Sequence, residues 1–398
     1  MDEFDCPACP YASAYLSTLH GQAFNTQVRK AAELLFVLDY FQRKGINLVD
    51  RMASGQLITQ SEYFQFHLAS ATKKNNSSSG ASVAFLELSD KRLRNALSAN
   101  AQQLSCVQNE TQSGRIRRLR QYLEMLYAHF HDAHGNNLEL SERYEKLRAA
   151  MRMDEDSLGK NPSQGVADPT ESSIPDDVFV KMLEMILPSS PSNPFKGSRI
   201  RNYLIVSIFT QSGIRRGALA KIKISDLVLH GTSDQIRIYR SGIDATDTRL
   251  DKPNQKSKAH LATVPKSLMG QIEHYISHIR SGIHGTQFHD FIFVSEKDSR
   301  GTLGQPLSLK SINGIFKVLS KALEFHIHPH LLRHKWNELF DVKATEMGME
   351  SRILEEARRY AMGWVAGSSM NEIYNDKRLA AKSREISLAH QRRVDAQK

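Results

Sequence analysis

Apolar residues recur at helical spacing through the first third of the chain. Over residues 26–52 they predict one helix, capped by Thr26 and stopped by Gly45, whose apolar face is formed by Ala31, Leu34, Leu35, Leu38 and Phe41. A polar run at 73–80 predicts a loop, and helical spacing resumes from Phe85 to Leu97. This part of the chain is therefore predicted to be helical.

A basic edge accompanies the apolar residues of the segment Ser113–Phe130. The apolar positions have the spacing of an amphipathic helix, and the arginines beside them are Arg115, Arg117, Arg118 and Arg120. One interpretation is that these four arginines bind DNA. The other is that they form an ordinary solvated face of the helix.

The pattern changes between residues 153 and 176, where the chain is polar, rich in Gly and Ser, and interrupted by Pro162, Pro169 and Pro175. Because proline breaks a helix, this stretch predicts a linker between two domains. The predicted organisation is an N-terminal tail at 1–18, a helical domain at 19–152, the linker at 153–176, and a second domain at 177–398 that ends in a basic tail.

The second domain mixes helical and alternating patterns. Helices are predicted near 177–187, 198–211 and 215–223, and mostly helical sequence follows from Leu309 onward. Between them, alternation at 235–240 predicts a strand, a second strand is expected at 261–264, and a short apolar run occupies 291–293. The two strands are expected to form a hairpin with a lysine-rich connection. The predicted fold class is mainly α with a small β-hairpin or sheet.

The composition indicates what kind of partner the protein binds. The 398 residues include 53 Lys and Arg against 43 Asp and Glu, a net charge of +10, which favours a polyanionic partner. No apolar stretch approaches the ~18 residues of a membrane span, and the first residues are acidic, unlike a signal peptide. The expectation is a soluble protein of the cytoplasm that has no membrane partner.

The three cysteines are too few for a disulfide framework and favour a reducing compartment. Cys6 and Cys9 have the spacing of half a zinc site, but no second pair follows at finger spacing. An ordinary tail is the simpler interpretation, and a zinc site is the alternative.

Several residues of the second domain suit the binding of a phosphate. Arg215 lies at the predicted start of a helix, where its guanidinium and the helix N-terminus can both address an anion. His330 and Arg333 are three residues apart and share a helix face, which suits two groups that hold one phosphate. Met362, Gly363 and Trp364 follow, and Tyr374 comes ten residues after the tryptophan. Taken alone, each has an ordinary explanation, such as a surface arginine or a core tryptophan.

Taken in order, these residues resemble the motif of the tyrosine recombinases, also called phage integrases. That motif is an arginine after a Thr-Gly or Ser-Gly turn, a hairpin lysine, His-x-x-Arg, a His or Trp, and a nucleophilic tyrosine. The resemblance covers residues 177–385 and assigns the catalytic roles to Arg215, Lys256, His330, Arg333, Trp364 and Tyr374. It also implies a helical core-binding domain followed by a mixed α+β catalytic domain.

This chain departs from the family pattern at several positions. Ala218 stands where most members have glutamate, and Trp364 where most have histidine. The spacing from Arg333 to Trp364 is long, which predicts an insertion around 343–356. Lys256 is assigned because it precedes Pro265 by nine residues, and the alternatives for the hairpin lysine are Lys252 and Lys258.

The resemblance implies a site-specific DNA recombinase that cleaves and rejoins strands through a 3′-phosphotyrosine, integrating or excising a mobile element. The two arginines would neutralise charge on the phosphate, and Trp364 would donate its indole N–H. His330 would accept the tyrosine proton or hydrogen-bond the phosphate, and the lysine would protonate the departing 5′ oxygen. No metal or other cofactor is implied.

The implied partners are double-stranded DNA with specific sites, a homotetramer on two duplexes, and accessory DNA-bending proteins. The expected location is the nucleoid of a bacterium, with the gene of bacterial or phage origin. Two alternatives stay open at this level: a type IB topoisomerase that only relaxes DNA, and a catalytically inactive DNA-binding regulator on the same scaffold.

Overall fold

The computed structural model describes residues 9–73, 106–131, 138–160 and 173–365, except 230–232, 243, 251 and 256, together with 368, 370, 371, 374, 375, 379 and 383. The chain divides into two compact units, Met1–Val166 and Ala167–Lys398. Their boundary falls inside the stretch predicted as the linker. Phe85–Leu97 and the basic C-terminal tail from 384 onward lie outside the described residues.

The described part of the first unit is helical. Its helices are α1 Pro10–Ser17, α2 Phe24–Arg43, α3 Leu48–Ala53, α4 Gln60–Ser70, α5 Asn109–His131 and α6 Leu138–Lys160. Helix α5 packs against α2, α3 and α6. Its residues Leu119, Tyr122 and Leu126 are completely buried, as the amphipathic pattern of this segment requires.

Three boundaries of this unit differ from the sequence-based prediction. Helix α1 begins inside the predicted tail, because Cys9 caps it through a hydrogen bond from Ala12 N–H and Pro10 occupies its first turn. The helix predicted over 26–52 is two helices, separated after Gly45, which has a φ of +69°. Helix α6 continues through 153 to Lys160, where the sequence predicted the linker.

The core of the second unit is built around one buried helix, α8 at Arg199–Ser212. Its helices are α7 Asp176–Met185, α8 Arg199–Ser212, α9 Arg216–Leu219, α10 Lys266–His274, α11 Leu309–Leu323, α12 Pro329–Glu346 and α13 Ser351–Met362. Nearly every side chain of α8 from Leu204 to Ser212 is buried. Helices α10 and α12 pack on α8, and the run at 291–293 is part of the surrounding core.

Among the described residues of this unit, three antiparallel strands form one sheet in the order β1 Leu227–Val228, β2 Gln235–Ile238 and β3 His260–Thr263. In the register of β2 and β3, Ile236 pairs with Ala262, and both are buried. The predicted pairing of the two strands is therefore confirmed, and β1 is an additional strand that the sequence did not predict. The mainly helical fold with one small sheet is confirmed as well.

The predicted insertion around 343–356 consists of the end of α12, a turn at Gly348 and the start of α13. Among the described residues, no helix is both long enough and apolar enough to cross a membrane.

Candidate active site

Arg215 is positioned by the turn that ends helix α8. Gly213 has a φ of +61°, and a Cβ there would lie 2.9 Å from both Met362 Cε and the ring of Trp336. Only glycine fits this turn without displacing those side chains. Beyond the turn, Arg215 takes the extended conformation of an N-cap and begins helix α9.

Arg333 connects this turn to the segment that carries the tryptophan. It lies in the second turn of α12 and is 2% exposed. Its Nη1 donates to Gly213 O at 2.6 Å, and its Nη2 donates to Met362 O at 3.3 Å. Its guanidinium lies 5.8 Å from the ring centre of Trp364. Three motif pieces that are far apart in sequence therefore meet at one buried side chain.

Trp364 and Tyr374 stack on each other. Their ring centres are 5.5 Å apart with an interplanar angle of 16°, and the residues are 5% and 3% exposed. Gly363 precedes the tryptophan with a φ of +62°. This turn allows the indole to leave helix α13 and cover one face of the tyrosine.

The segment that bears Tyr374 is fastened to helix α13 by two asparagines. Asn375 Nδ2 donates to Glu355 Oε1 at 2.6 Å, and Asn371 Nδ2 donates to Glu355 O at 3.4 Å. Arg358 of the same helix lies 5.7 Å from the Tyr374 ring centre. Helix α13 therefore positions the segment that carries the tyrosine.

His334 contacts the tyrosine hydroxyl, with 2.8 Å between its Nδ1 and Tyr374 Oη. His330, the histidine that the family motif indicates, is exposed one turn earlier on α12, and its ring centre lies 4.4 Å from that of His334. Sequence reasoning did not assign a role to His334. The available signal was a second histidine four residues after His330, which places both on one helix face.

The connection between β2 and β3 approaches the same site at two points. A Cβ at Gly217 would lie 2.6 Å from Asn254 O, so glycine lets the connection pass close to helix α9. Farther along, Lys258 N–H donates to Gly363 O at 2.8 Å, and a Cβ at Gly363 would collide with the ring of His260. The connection therefore touches the segments that carry Arg215 and Trp364.

Lys256 lies outside the described residues, and its assignment as the hairpin lysine stays a prediction. The alternatives Lys252 and Lys258 are described, and both side chains are exposed. Lys258 is tied to the site by its backbone.

The charges of the site are concentrated and largely desolvated. Burial lowers the pKa of Arg215, and burial followed by the neighbouring Arg215 cation lowers the pKa of Arg333. Burial raises the pKa of Tyr374 to about 12, against the opposing effect of Arg333, Arg358 and Arg215. The hydroxyl is therefore protonated at neutral pH, and the two arginine cations favour a bound anion.

Three buried donors of this site have no acceptor among the described residues: Arg215 Nη1, Arg333 Nε and Trp364 Nε1. Buried donors are normally hydrogen-bonded, and an unmet one costs about 1–3 kcal/mol. A phosphodiester has the negative charge and the acceptor oxygens that satisfy such donors. The arrangement is chemically suited to hold a phosphate beside a tyrosine hydroxyl.

The four arginines of α5 that were predicted to bind DNA contact other parts of the first unit, and their binding to DNA stays a prediction. Arg118 is 2% exposed and donates from Nη2 to Glu33 at 2.9 Å. Arg115 donates from Nη1 to two backbone carbonyls and covers the ring of Phe36 at 3.8 Å. The remaining two, Arg117 and Arg120, form ion pairs with Glu155.

Among these four, Arg117 has the most exposed side chain, at 48%. Arginine forms strong hydrogen bonds to carboxylates and backbone carbonyls, and here those bonds hold the helices of the first unit together. These arginines therefore have a structural role in the first unit, whether or not they also contact DNA.

Within the described part of the chain, no group of three or more metal-binding side chains occurs. Cys9 lies 3.7 Å from Tyr122 Oη, measured from Sγ, and Cys6 lies outside the described residues.

Residues 180–380, half of the chain, match the model of the phage integrase family. The chain belongs to this family of tyrosine-type site-specific DNA recombinases. A curated relative is the type 1 fimbriae regulatory protein FimB of Escherichia coli K12, 24% identical over 176 residues, which cover 44% of this chain and 73% of FimB.

Similar solved structures include XerA recombinase, with a TM-score of 0.37, 16% identity and coverage of 96% of this chain and 98% of that one. XerH site-specific recombinase bound to its difH substrate has a TM-score of 0.44, 15% identity and 94% coverage of each chain. A lambda integrase dimer bound to a core site has a TM-score of 0.35, 14% identity and 73% coverage of each chain.

Proposed function

We propose that this recombinase cleaves and rejoins DNA with Tyr374 as the nucleophile, through a 3′-phosphotyrosine intermediate. The proposal is carried by three buried donors at the site of Tyr374, on Arg215, Arg333 and Trp364, for which the described part of the chain offers no acceptor. A DNA phosphate satisfies these donors and places its phosphorus within reach of the hydroxyl.

Each proposed role follows from the chemistry of phosphoryl transfer. Arg215 and Arg333 bind the non-bridging oxygens and neutralise the charge that builds there in the transition state. Trp364 donates its indole N–H and keeps water from the phosphotyrosine bond. Lys256 is the proposed acid that protonates the departing 5′ oxygen, with Lys252 and Lys258 as alternatives.

Because the phosphotyrosine bond retains the energy of the original phosphodiester, the rejoining step needs no nucleotide cofactor. A second 5′ hydroxyl can attack the phosphotyrosine and release Tyr374, which joins a new pair of strands. We propose that four copies act on two duplexes that carry specific sites, with DNA-bending accessory proteins. The proposed reaction integrates or excises a mobile element at the nucleoid of a bacterial cytoplasm.

The experiment uses the full-length chain and a pool of nicked duplexes with random central sequence. Cleavage near a nick releases a short fragment, so that the covalent protein–DNA product accumulates and survives SDS. Sequencing of the captured duplexes identifies the substrate, and peptide mapping should place the bound nucleotide on Tyr374. The Tyr374→Phe variant should lose this adduct and keep its DNA affinity, because the ring supplies only packing. An adduct that persists in Tyr374→Phe would contradict the assignment.

The same captured sequence separates recombination from the two alternative activities. Two duplexes that carry it should exchange strands when they are incubated with the wild-type protein. A topoisomerase would relax a supercoiled plasmid without exchanging strands between duplexes. An inactive regulator would bind the duplex and form no adduct.

A further inference from the structure

We propose that His334 accepts the proton of the Tyr374 hydroxyl during DNA cleavage, and that His330 contacts the phosphate instead. This inference rests on the proposed function and assigns one further catalytic residue to the same site. The two histidines lie one turn apart on α12, and the structure distinguishes them by what each one touches.

The contact of His334 with the reacting oxygen is direct. Its Nδ1 lies 2.8 Å from Tyr374 Oη, within the range of a good hydrogen bond, and the ring centres are 5.4 Å apart. When the imidazole is neutral with its proton on Nε2, the hydroxyl donates to Nδ1. This is the geometry of a general base before proton transfer.

The need for a base follows from the surroundings of the tyrosine. Its hydroxyl is buried, and the pKa of Tyr374 is raised to about 12, so the phenolate is scarce at neutral pH. The cations Arg333, Arg358 and Arg215 face the tyrosine and favour the phenolate, whereas Asp341 disfavours it. A proton acceptor in contact with the oxygen lowers the cost of ionisation, because it takes the proton as the oxygen bonds to phosphorus.

His330 is better placed for the phosphate and for proton exchange with solvent. Its side chain is exposed, whereas that of His334 is partly covered, and the two ring centres are 4.4 Å apart. His328, the N-cap of α12, continues the row, and its ring centre lies 6.5 Å from that of His330. A proton taken up by His334 therefore has imidazole neighbours on the exposed side of the site.

In the proposed cleavage step, His334 takes one proton, and phosphorus exchanges its bond to the 5′ oxygen for a bond to Tyr374. The Tyr374 O–H bond breaks and its proton forms a bond with His334 Nδ1, while Oη bonds to phosphorus and the bond from phosphorus to the 5′ oxygen breaks. The 5′ oxygen receives a separate proton from the hairpin lysine. In the rejoining step, a 5′ hydroxyl attacks phosphorus and gives its proton back to the hairpin lysine. The bond from phosphorus to Tyr374 Oη breaks, and protonated His334 returns its proton to the departing tyrosine oxygen.

The test measures single-turnover cleavage of the captured duplex, made with sulfur at the bridging 5′ position. A thiolate leaves without a proton, so the pH profile on this substrate reports the base rather than the acid. The wild-type rate should fall about tenfold per pH unit on the acid side, because protonated imidazole cannot accept a proton. His334→Asn should lower the rate about 10²–10⁴-fold and abolish this dependence, since an amide oxygen accepts the hydrogen bond but not the proton.

His330→Asn is the matched comparison on the same helix face. It should weaken phosphate binding and slow cleavage, yet the cleavage rate should still fall with decreasing pH as in the wild type. His326→Asn changes an exposed histidine before the start of α12 and should behave as wild type. Tryptophan fluorescence and DNA affinity verify that each variant is folded, and His334→Gln serves if His334→Asn is not.

The inference is overturned if His334→Asn and His334→Gln keep the wild-type rate or the acid-side dependence, or if His330→Asn abolishes that dependence. These outcomes differ from failure of the proposed function, in which the wild-type protein itself forms no adduct.

Discussion

Removal of one partner from the buried ion pair of Arg358 and Asp341 should destabilise the second unit beside the nucleophile. Arg358 Nη2 and Nε lie 2.6 and 3.0 Å from Asp341 Oδ1, and the two side chains are 0% and 12% exposed. The pair joins helix α13 to helix α12, and Arg358 also lies 3.5 Å from Asn375 Oδ1, measured from Nη1. The perturbation is Arg358→Met, which keeps much of the side-chain volume and removes the charge.

Loss of one partner from a buried ion pair costs about 3–5 kcal/mol, because the other charge stays desolvated. In a unit of this size, each kcal/mol lowers Tm by about 2–4 °C, so the expected decrease is about 6–20 °C. The double variant Arg358→Met/Asp341→Leu removes both charges and should recover most of this loss, since apolar replacement of a whole pair is often neutral.

The assay is urea unfolding followed by tryptophan fluorescence. Both tryptophans of the chain, Trp336 and Trp364, belong to the second unit, so the signal reports that unit alone. The reasoning is refuted if Arg358→Met costs less than about 1 kcal/mol, or if the double variant loses the sum of the two single losses.

Two further predictions concern the chemistry of the site. Burial raises the pKa of Tyr374 to about 12, above the ordinary value of about 10. The protonated hydroxyl therefore contributes its full share to the stability of the folded state below pH 10, and this share is lost as the pH rises through 12. The alkaline absorbance difference between wild type and Tyr374→Phe should therefore titrate near 12, and a midpoint near 10 would contradict the burial argument. Lys256→Ala should cleave ordinary DNA poorly and recover on the 5′-sulfur duplex, whereas Arg333→Ala should not recover. Recovery with Lys258→Ala alone would move the acid role to Lys258.

Local sequence patterns predicted the strands, because the alternation of buried and exposed side chains along a strand is visible in a few consecutive residues. The alternation at 235–238 and 260–263 reflects one buried and one exposed face, and the structure pairs these strands as expected. The linker boundary was less accurate, because polar composition alone does not end a helix. The first proline after 153 is Pro162, and α6 continues to Lys160 before it.

The candidate site came from the resemblance of the motif order to that of the tyrosine recombinases. That order predicted catalytic roles for Arg215, Arg333, Trp364 and Tyr374 before any distance was known. It assigned a role to His330 and none to His334, although both share a face of α12. Which of them meets Tyr374 depends on how the tyrosine segment docks on α13, through Asn371 and Asn375.

The arginines of α5 illustrate the same limit. Their spacing predicted a basic edge, but a periodic pattern contains no information about what covers that edge. The carboxylates that pair with it, Glu33 and Glu155, come from α2 and α6, which only the tertiary fold brings together. The sequence by itself thus predicted which residues carry the chemistry and in what order. Only the tertiary structure decided which charges are neutralised inside the protein and which remain for DNA, because that depends on contacts between residues far apart in the chain.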